Sequence, residues 1–346
     1  VEEIRIGIVG LGRLGRIHAE NIALNIPGVS LTAACSVVKE ELDYAREILG
    51  VEETYISYED MVNSPNIDAV CIVSPSGFHT EQIRLAMKNN LHVFCEKPIG
   101  LEIEDIEKTV EIIDSYPGLV FQLGFMRRYD ESYRYAKEMV DSGQLGDLTV
   151  IRCYGIDPSS GLESFVKFAG ASNSGGLFAD MAIHDIDLVR WFTNKEVKRV
   201  WALGKNAAYP ELDKVNELET GAAMMQLEDK TMALLVSGRN ATHGYHVETE
   251  IIGTKGMLRI GAAPEKNLVT IYDGNGVTRP TSQHFPERFR EAFYNEMGEF
   301  ASCIQENRNP NVSAYDGLQG TRVAEALQHS IDIQDIVDLH PVSSLK

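Results

Sequence analysis

The chain's 346 residues suffice for two domains of ordinary size, and 44% hydrophobic residues can furnish two packed cores. A balance of 32 basic against 51 acidic side chains gives a net charge of −19, which repels phosphate backbones and anionic membrane surfaces, so nucleic acid is not expected as a partner. Apolar runs fall short of the roughly 20 residues that span a bilayer, no signal-peptide pattern opens the chain, and five scattered cysteines without CxxC spacing read as reduced core residues of a cytoplasmic protein.

From the N-terminus, short apolar runs alternate with amphipathic stretches. IRIGIV, a helix over about 13–25, SLTAACSV, a helix over about 39–49, IDAVCIV and HVFCEK predict a β-α-β-α series, hence a parallel sheet with helices on both faces. Between the first strand and helix stands Gly10-Leu11-Gly12-Arg13-Leu14-Gly15. In that context Gly10 permits a tight turn, Gly12 lets backbone approach a pyrophosphate, and Gly15 lets helix and strand pack closely. The diphosphate would rest on the helix N-terminus, where free amides favour an anion.

An acid that binds the adenosine ribose is expected about 20 residues beyond such a loop; that position holds Ser36. With no carboxylate there to repel a 2′-phosphate, and with Arg13 and Lys39 nearby in sequence, NADP stays open beside NAD. Both cations read equally well as solvated surface charges.

Ser74, Pro75 and His79 in VSPSGFH follow the IDAVCIV strand and are candidates to shape a nicotinamide pocket, although His79 could simply begin the next helix. HVFCEKPIG sets Glu96 and Lys97 at the C-terminal end of a strand, the edge where ligands bind in open parallel sheets. Pro98 restricts the lysine backbone to extended conformations.

Beyond LVFQLGF (119–125) and a helix starting near Tyr129 the pattern changes. LTVIRCYGI, ETGAAMMQL, TMALLVSG, VETEIIG and GMLRI, with turns at Glu228-Asp229 and 253–256, predict a largely antiparallel sheet. The expected division falls near residue 125, between a dinucleotide-binding domain over 1–125 and a strand-rich domain over 126–346. Two helices, about 286–307 and 313–334, close the chain and are expected to pack on the second domain.

GGLFADMAIHDID (175–187) spaces Asp180, His184 and Asp187 at i, i+4 and i+7, on one helical face. An imidazole can accept an alcohol proton near neutral pH, and a carboxylate can fix a neighbouring hydroxyl. A capped, solvated acid face is the structural alternative. Carboxylate and imidazole at i, i+4 also suit zinc, but His243 and His246 are too weak a signal to complete such a site, and no metal is expected.

Taken in order, GLGRLG, PSGFH (75–79), CEKP (95–98), FMRRYD (125–130) and GGLFADMAIHDID resemble the glucose-fructose oxidoreductase / inositol dehydrogenase (Gfo/Idh/MocA) family over nearly the whole chain. FMRRYD is most similar to its inositol 2-dehydrogenase branch. The resemblance implies an N-terminal Rossmann domain, a C-terminal α/β domain on a large open sheet, a homotetramer built through that sheet, and NAD as the default cofactor. It implies cofactor contacts at Gly10, Gly12, Arg13, Leu14, Gly15, Ser36, Ser74, Pro75, His79, Glu96 and Lys97. It further implies that Lys97 touches nicotinamide and substrate, that Asp180 binds a substrate hydroxyl and that His184 is the catalytic base. Arg127, Asp157 and Tyr245 would lie near the substrate, with Asp187 either joining them or holding His184.

The function so implied is oxidation of a secondary alcohol of a cyclic polyol, myo-inositol to its 2-keto product first, with scyllo-inositol, a sugar or a diol as other substrates. A non-catalytic NAD(P)-binding sensor is the alternative. Lys97 together with His184 argues against it, because a protein that only binds has no use for that pair.

Overall fold

A computed structural model describes residues 3–169, 175–262, 265–274 and 276–341. The chain forms two compact units, 1–129 with 291–321 and 130–290 with 322–346.

In the first unit the elements are β1 (Ile4–Val9), α1 (Arg13–Glu20), β2 (Val29–Cys35), α2 (Lys39–Glu47), β3 (Glu53–Tyr55), α3 (Tyr58–Val62), β4 (Ala69–Ile72), α4 (His79–Lys88), β5 (His92–Glu96), α5 (Ile103–Asp114) and β6 (Phe121–Gly124). The six strands pair in parallel in the order β3-β2-β1-β4-β5-β6. Covered on both faces, the strands read as nearly unbroken apolar runs, and every residue of β4 is buried. Strand order reverses between β1 and β4, so the loops that follow these two strands border the crevice where such sheets take their ligands.

The second unit carries α6 (Glu131–Asp141), β7 (Leu148–Pro158), α7 (Leu162–Ala169), α8 (Ile183–Thr193), β8 (Val197–Lys205), β9 (Thr220–Leu227), β10 (Met232–Ala241), β11 (His246–Gly253) and β12 (Met257–Ala262). A hairpin of β13 (Ile271–Asp273) and β14 (Gly276–Thr278) follows, then α9 (Phe285–Glu306), α10 (Ala314–Ile333) and β15 (Val337–Asp338). The large sheet runs β12-β11-β7-β10-β9-β8-β15 and is antiparallel except where β7 meets β10. β8 has no counterpart among the sequence-based strands: Lys198 and Arg199 are both exposed and a register shift interrupts the period-2 pattern there. Asp130 starts α6 by accepting from the Ser132 and Tyr133 amides, and its carboxylate is fixed by Arg288 at 2.6 Å.

The closing helices depart from expectation. Residues 291–321 belong to the first unit, because Met297, Phe300, Ala301 and Cys303 bury themselves in one core with Ile4, Ile6, Ile8 and Phe94. An apolar face that long needs a hydrophobic sheet face to cover, and the parallel sheet supplies it.

Candidate active site

Each glycine of the first loop has a distinct physical reason. Gly10 has φ +87°, and a Cβ there would lie 2.5 Å from the Val73 carbonyl oxygen, so only glycine fits the turn. A Cβ on Gly15 would lie 2.0 Å from the Gly10 carbonyl oxygen. At Gly12 a Cβ would meet nothing within 4 Å. That open space stands at the N-cap of α1, whose first amides receive no side-chain cap. Uncapped amides beside open backbone are the donor set a pyrophosphate requires, so the loop fits a dinucleotide. Arg13 is exposed beside it and Leu14 half-buried.

At the end of β2 the structure corrects the expectation of a site without a carboxylate. Ser36 is 7% exposed, and its hydroxyl donates to Glu41 Oε2 at 2.6 Å while accepting from the Val38 amide at 3.0 Å. The same Glu41 oxygen accepts from the Leu11 amide of the glycine loop at 3.3 Å. A carboxylate therefore does stand beside the loop, delivered from the first turn of α2. Lys39 is engaged with Asp43 at 2.6 Å on the solvent side of that helix.

Lys97, half-buried past the end of β5, has anchors on both sides. On one side Glu96 accepts from the Lys97 amide at 3.2 Å and meets His18 Nε2 at 2.8 Å. On the other, His79 Nδ1 lies 2.7 Å from the Pro98 carbonyl oxygen and Nε2 lies 2.8 Å from that of Ser74. The Ser74 hydroxyl donates to Gln82 at 2.5 Å, and Pro75 opens the turn that leads into α4. His79 and Glu96, expected as cofactor contacts, both bond to groups that flank Lys97.

Behind Glu96 lies the buried Glu296, whose carboxyl is pushed well above the usual carboxylate range by burial and then by the charge of Glu96. His18 packs edge-on against Phe293 with ring centroids 5.6 Å apart and tilted against Phe94 at 5.1 Å. Arg127 is buried in a 3₁₀ turn at 126–129 of the first unit, next to Arg128, which donates to Asp316 at 3.0 Å.

In the second unit the predicted helix is continuous but not uniform. Phe178–Ala182 form a wide π turn that contains Asp180, and α8 follows with His184 and Asp187. The i, i+4 relation of Asp180 to His184 therefore spans a change of helical pitch, a feature often found at functional sites. His184 is 9% exposed and Asp187 is buried. Gly175 and Gly176, with φ +80° and +87°, turn the chain into this segment. Asp180, its side chain 36% exposed, is held by Arg239 at 2.9 Å. The Arg239 guanidinium in turn lies 3.8 Å from the centroid of the Phe165 ring. Asp157 is half-buried near the end of β7, and Tyr245 is buried edge-on against Phe289. His243 and His246 contact each other at 2.9 Å.

Glu41, His18, Glu296 and Arg239 escaped the sequence reading. Arg239 left a signal: it alternates with Ala233, Leu235 and Ser237 on the buried face of β10, where an arginine needs a partner.

A parallel sheet with this loop, a lysine past a strand end, and an acid–imidazole helix in a second unit define a nicotinamide-dependent oxidoreductase. Residues 4–125 match an oxidoreductase family described by its NAD-binding Rossmann fold, and residues 133–259 match the GFO/IDH/MocA C-terminal domain. The chain belongs to the glucose-fructose oxidoreductase / inositol dehydrogenase (Gfo/Idh/MocA) family. It is 30% identical to the myo-inositol 2-dehydrogenase of Thermotoga maritima over 98% of this chain and 99% of that one. Among solved structures it is similar to scyllo-inositol dehydrogenase from Lactobacillus casei with bound NAD(H) and scyllo-inositol, at 62% identity and a TM-score of 0.95 over 97% and 99% of the two chains. Myo-inositol 2-dehydrogenase from Lactobacillus plantarum is 46% identical, with a TM-score of 0.96 over 98% and 100%.

Proposed function

We propose that the protein oxidises one secondary alcohol of an inositol to the ketone with NAD, and that scyllo-inositol stands first among the isomers, ahead of myo-inositol. The observation that carries this is the anchored Lys97 at the nucleotide-binding sheet edge, in a chain whose other unit sets Asp180 and His184 on one helical segment. The 62% identical scyllo-inositol dehydrogenase supports the order of isomers. The first unit, 1–129 with 291–321, serves as the nucleotide domain and the second, 130–290 with 322–346, as the substrate and oligomerisation domain.

Bound NAD supplies the hydride acceptor. His184 takes the hydroxyl proton, Lys97 donates to the reacting oxygen as its charge grows, and Asp180 accepts from a neighbouring hydroxyl, which orients the ring. Arg239 holds the Asp180 carboxylate in place. Arg127, Asp157, Asp187 and Tyr245 complete the polyol contacts. A sensor that only binds would need no proton acceptor paired with a lysine, so the enzymatic reading is preferred.

The homotetramer is assembled through the open face of the large sheet. Trp201, Leu203, Met224 and Met232 are exposed there, and Trp201 is registered opposite Met224 across β8 and β9. The cytoplasm is the compartment we assign, supported by five buried cysteines that are not in disulfides.

The test is reduction of NAD followed at the nicotinamide absorbance with scyllo-inositol, myo-inositol, hexoses and diols. Turnover with an inositol is expected; turnover confined to a hexose or a diol would overturn the substrate class, and none with any polyol would overturn the activity.

A further inference from the structure

We propose that Glu41 is the residue that selects the cofactor: it receives the adenosine-ribose hydroxyls of NAD and repels the 2′-phosphate of NADP. This rests on the nicotinamide-dependent reading above and deepens it.

In dinucleotide folds the discriminating acid stands at the end of the second strand, where it accepts from the ribose 2′-hydroxyl. Here that place is Ser36, which cannot repel a phosphate. The carboxylate arrives instead from a residue five further along, in the first turn of α2. Two donors hold it, the Ser36 hydroxyl at 2.6 Å and the Leu11 amide at 3.3 Å, and both address Oε2. Among the described residues Oε1 carries no hydrogen bond, so one acceptor oxygen remains for a ribose hydroxyl. The Leu11 contact matters most, because it ties the carboxylate to the glycine loop itself rather than to the outside of the helix.

Nearby cations do not offset this charge in favour of a phosphate. Lys39 pairs with Asp43 at 2.6 Å on the solvent side of α2. Arg16 donates to the Leu11 carbonyl oxygen at 3.3 Å and lies 4.6 Å from the centroid of the Tyr44 ring. Arg13 is exposed on the loop, one cation set against a fixed carboxylate. The hydroxyl of Ser36 is therefore a positioning group, and Glu41 takes the role that the strand-end acid would have had.

The test titrates wild type, Glu41→Gln, Glu41→Ala and Ser36→Ala with NADH and, separately, NADPH, following nicotinamide fluorescence without any polyol. Wild type should bind NADH at least about tenfold tighter than NADPH, and both Glu41 variants should weaken NADH by about tenfold while tightening NADPH. Ser36→Ala should reduce the ratio in the same direction by less, and it serves as the test if the Glu41 variants do not fold. Equal weakening of both nucleotides would show that Glu41 merely supports the loop, and would overturn the proposal. A wild type that binds NADPH as tightly as NADH would also overturn it. Binding of neither nucleotide by wild type would instead sink the nicotinamide-dependent reading on which this rests.

Discussion

Gly12→Ala and Gly15→Ala separate a cofactor loop from a structural turn. At Gly12 the backbone has φ −65° and ψ −164°, allowed for any residue, and an added Cβ meets nothing within 4 Å. Alanine is a poorer N-cap by up to about 1 kcal/mol, while restricting the unfolded chain returns about 0.4–1 kcal/mol. Gly12→Ala should therefore melt close to wild type. At Gly15 the new Cβ would stand 2.0 Å from the Gly10 carbonyl oxygen and 2.8 Å from its carbon, both backbone atoms, so the helix must shift. A cost of about 1–3 kcal/mol is expected. For NADH the effects differ, because the space beside Gly12 is where the pyrophosphate approaches. Loss of one charge-assisted hydrogen bond, about 1.5–3 kcal/mol, corresponds to roughly ten- to hundredfold weaker binding. Thermal melts and NADH fluorescence titration on the same samples provide the assay. A Gly12→Ala variant that melts like wild type and binds NADH equally well would refute the reasoning.

Four further outcomes are expected. His184→Ala should abolish inositol oxidation while NADH binding and the melt stay near wild type; wild-type turnover would remove it from the reaction. Lys97→Ala should likewise abolish turnover without unfolding the protein, and a rate close to wild type would withdraw its assigned role. Arg239→Met should lower kcat/KM for inositol by about tenfold or more by loosening Asp180, with Arg239→Lys partly restoring it; unchanged kcat/KM in the folded Met variant would contradict that link. Glu296 has its folded pKa raised above the ordinary 4.5, so its neutral form favours the fold at low pH and that contribution is lost as pH rises from there towards the folded pKa. Denaturant melts should show Glu296→Gln gaining on wild type between pH 5 and pH 8, and parallel profiles would contradict a neutral Glu296.

Legibility in the sequence followed the range of the interactions involved. The glycine loop was readable because Gly10 and Gly15 answer local steric demands within one strand–turn–helix. Most strands of both sheets were readable from apolar runs, whereas β8 was not, since exposed charges and a register shift break its pattern. The closing helices looked correct as helices, but nothing in their periodicity tells which sheet Phe300 and Met297 will cover. The carboxylate beside the glycine loop was not legible, because Glu41 reaches the loop from the helix after the second strand and not from the strand end itself. Likewise the helical stripe of Asp180 and His184 was legible, but the π turn beneath it and the arginine from β10 that holds Asp180 depend on tertiary packing.

The central claim is hydride transfer from an inositol ring carbon to NAD by this chain. Scyllo-inositol deuterated at its ring carbons, incubated with NAD and the enzyme, tests it most directly when the reduced nucleotide is analysed by mass spectrometry. NADH carrying one deuterium in place of a hydrogen, formed more slowly than from unlabelled inositol, is the predicted result. Formation of unlabelled NADH, or of no NADH from either scyllo- or myo-inositol, would contradict it.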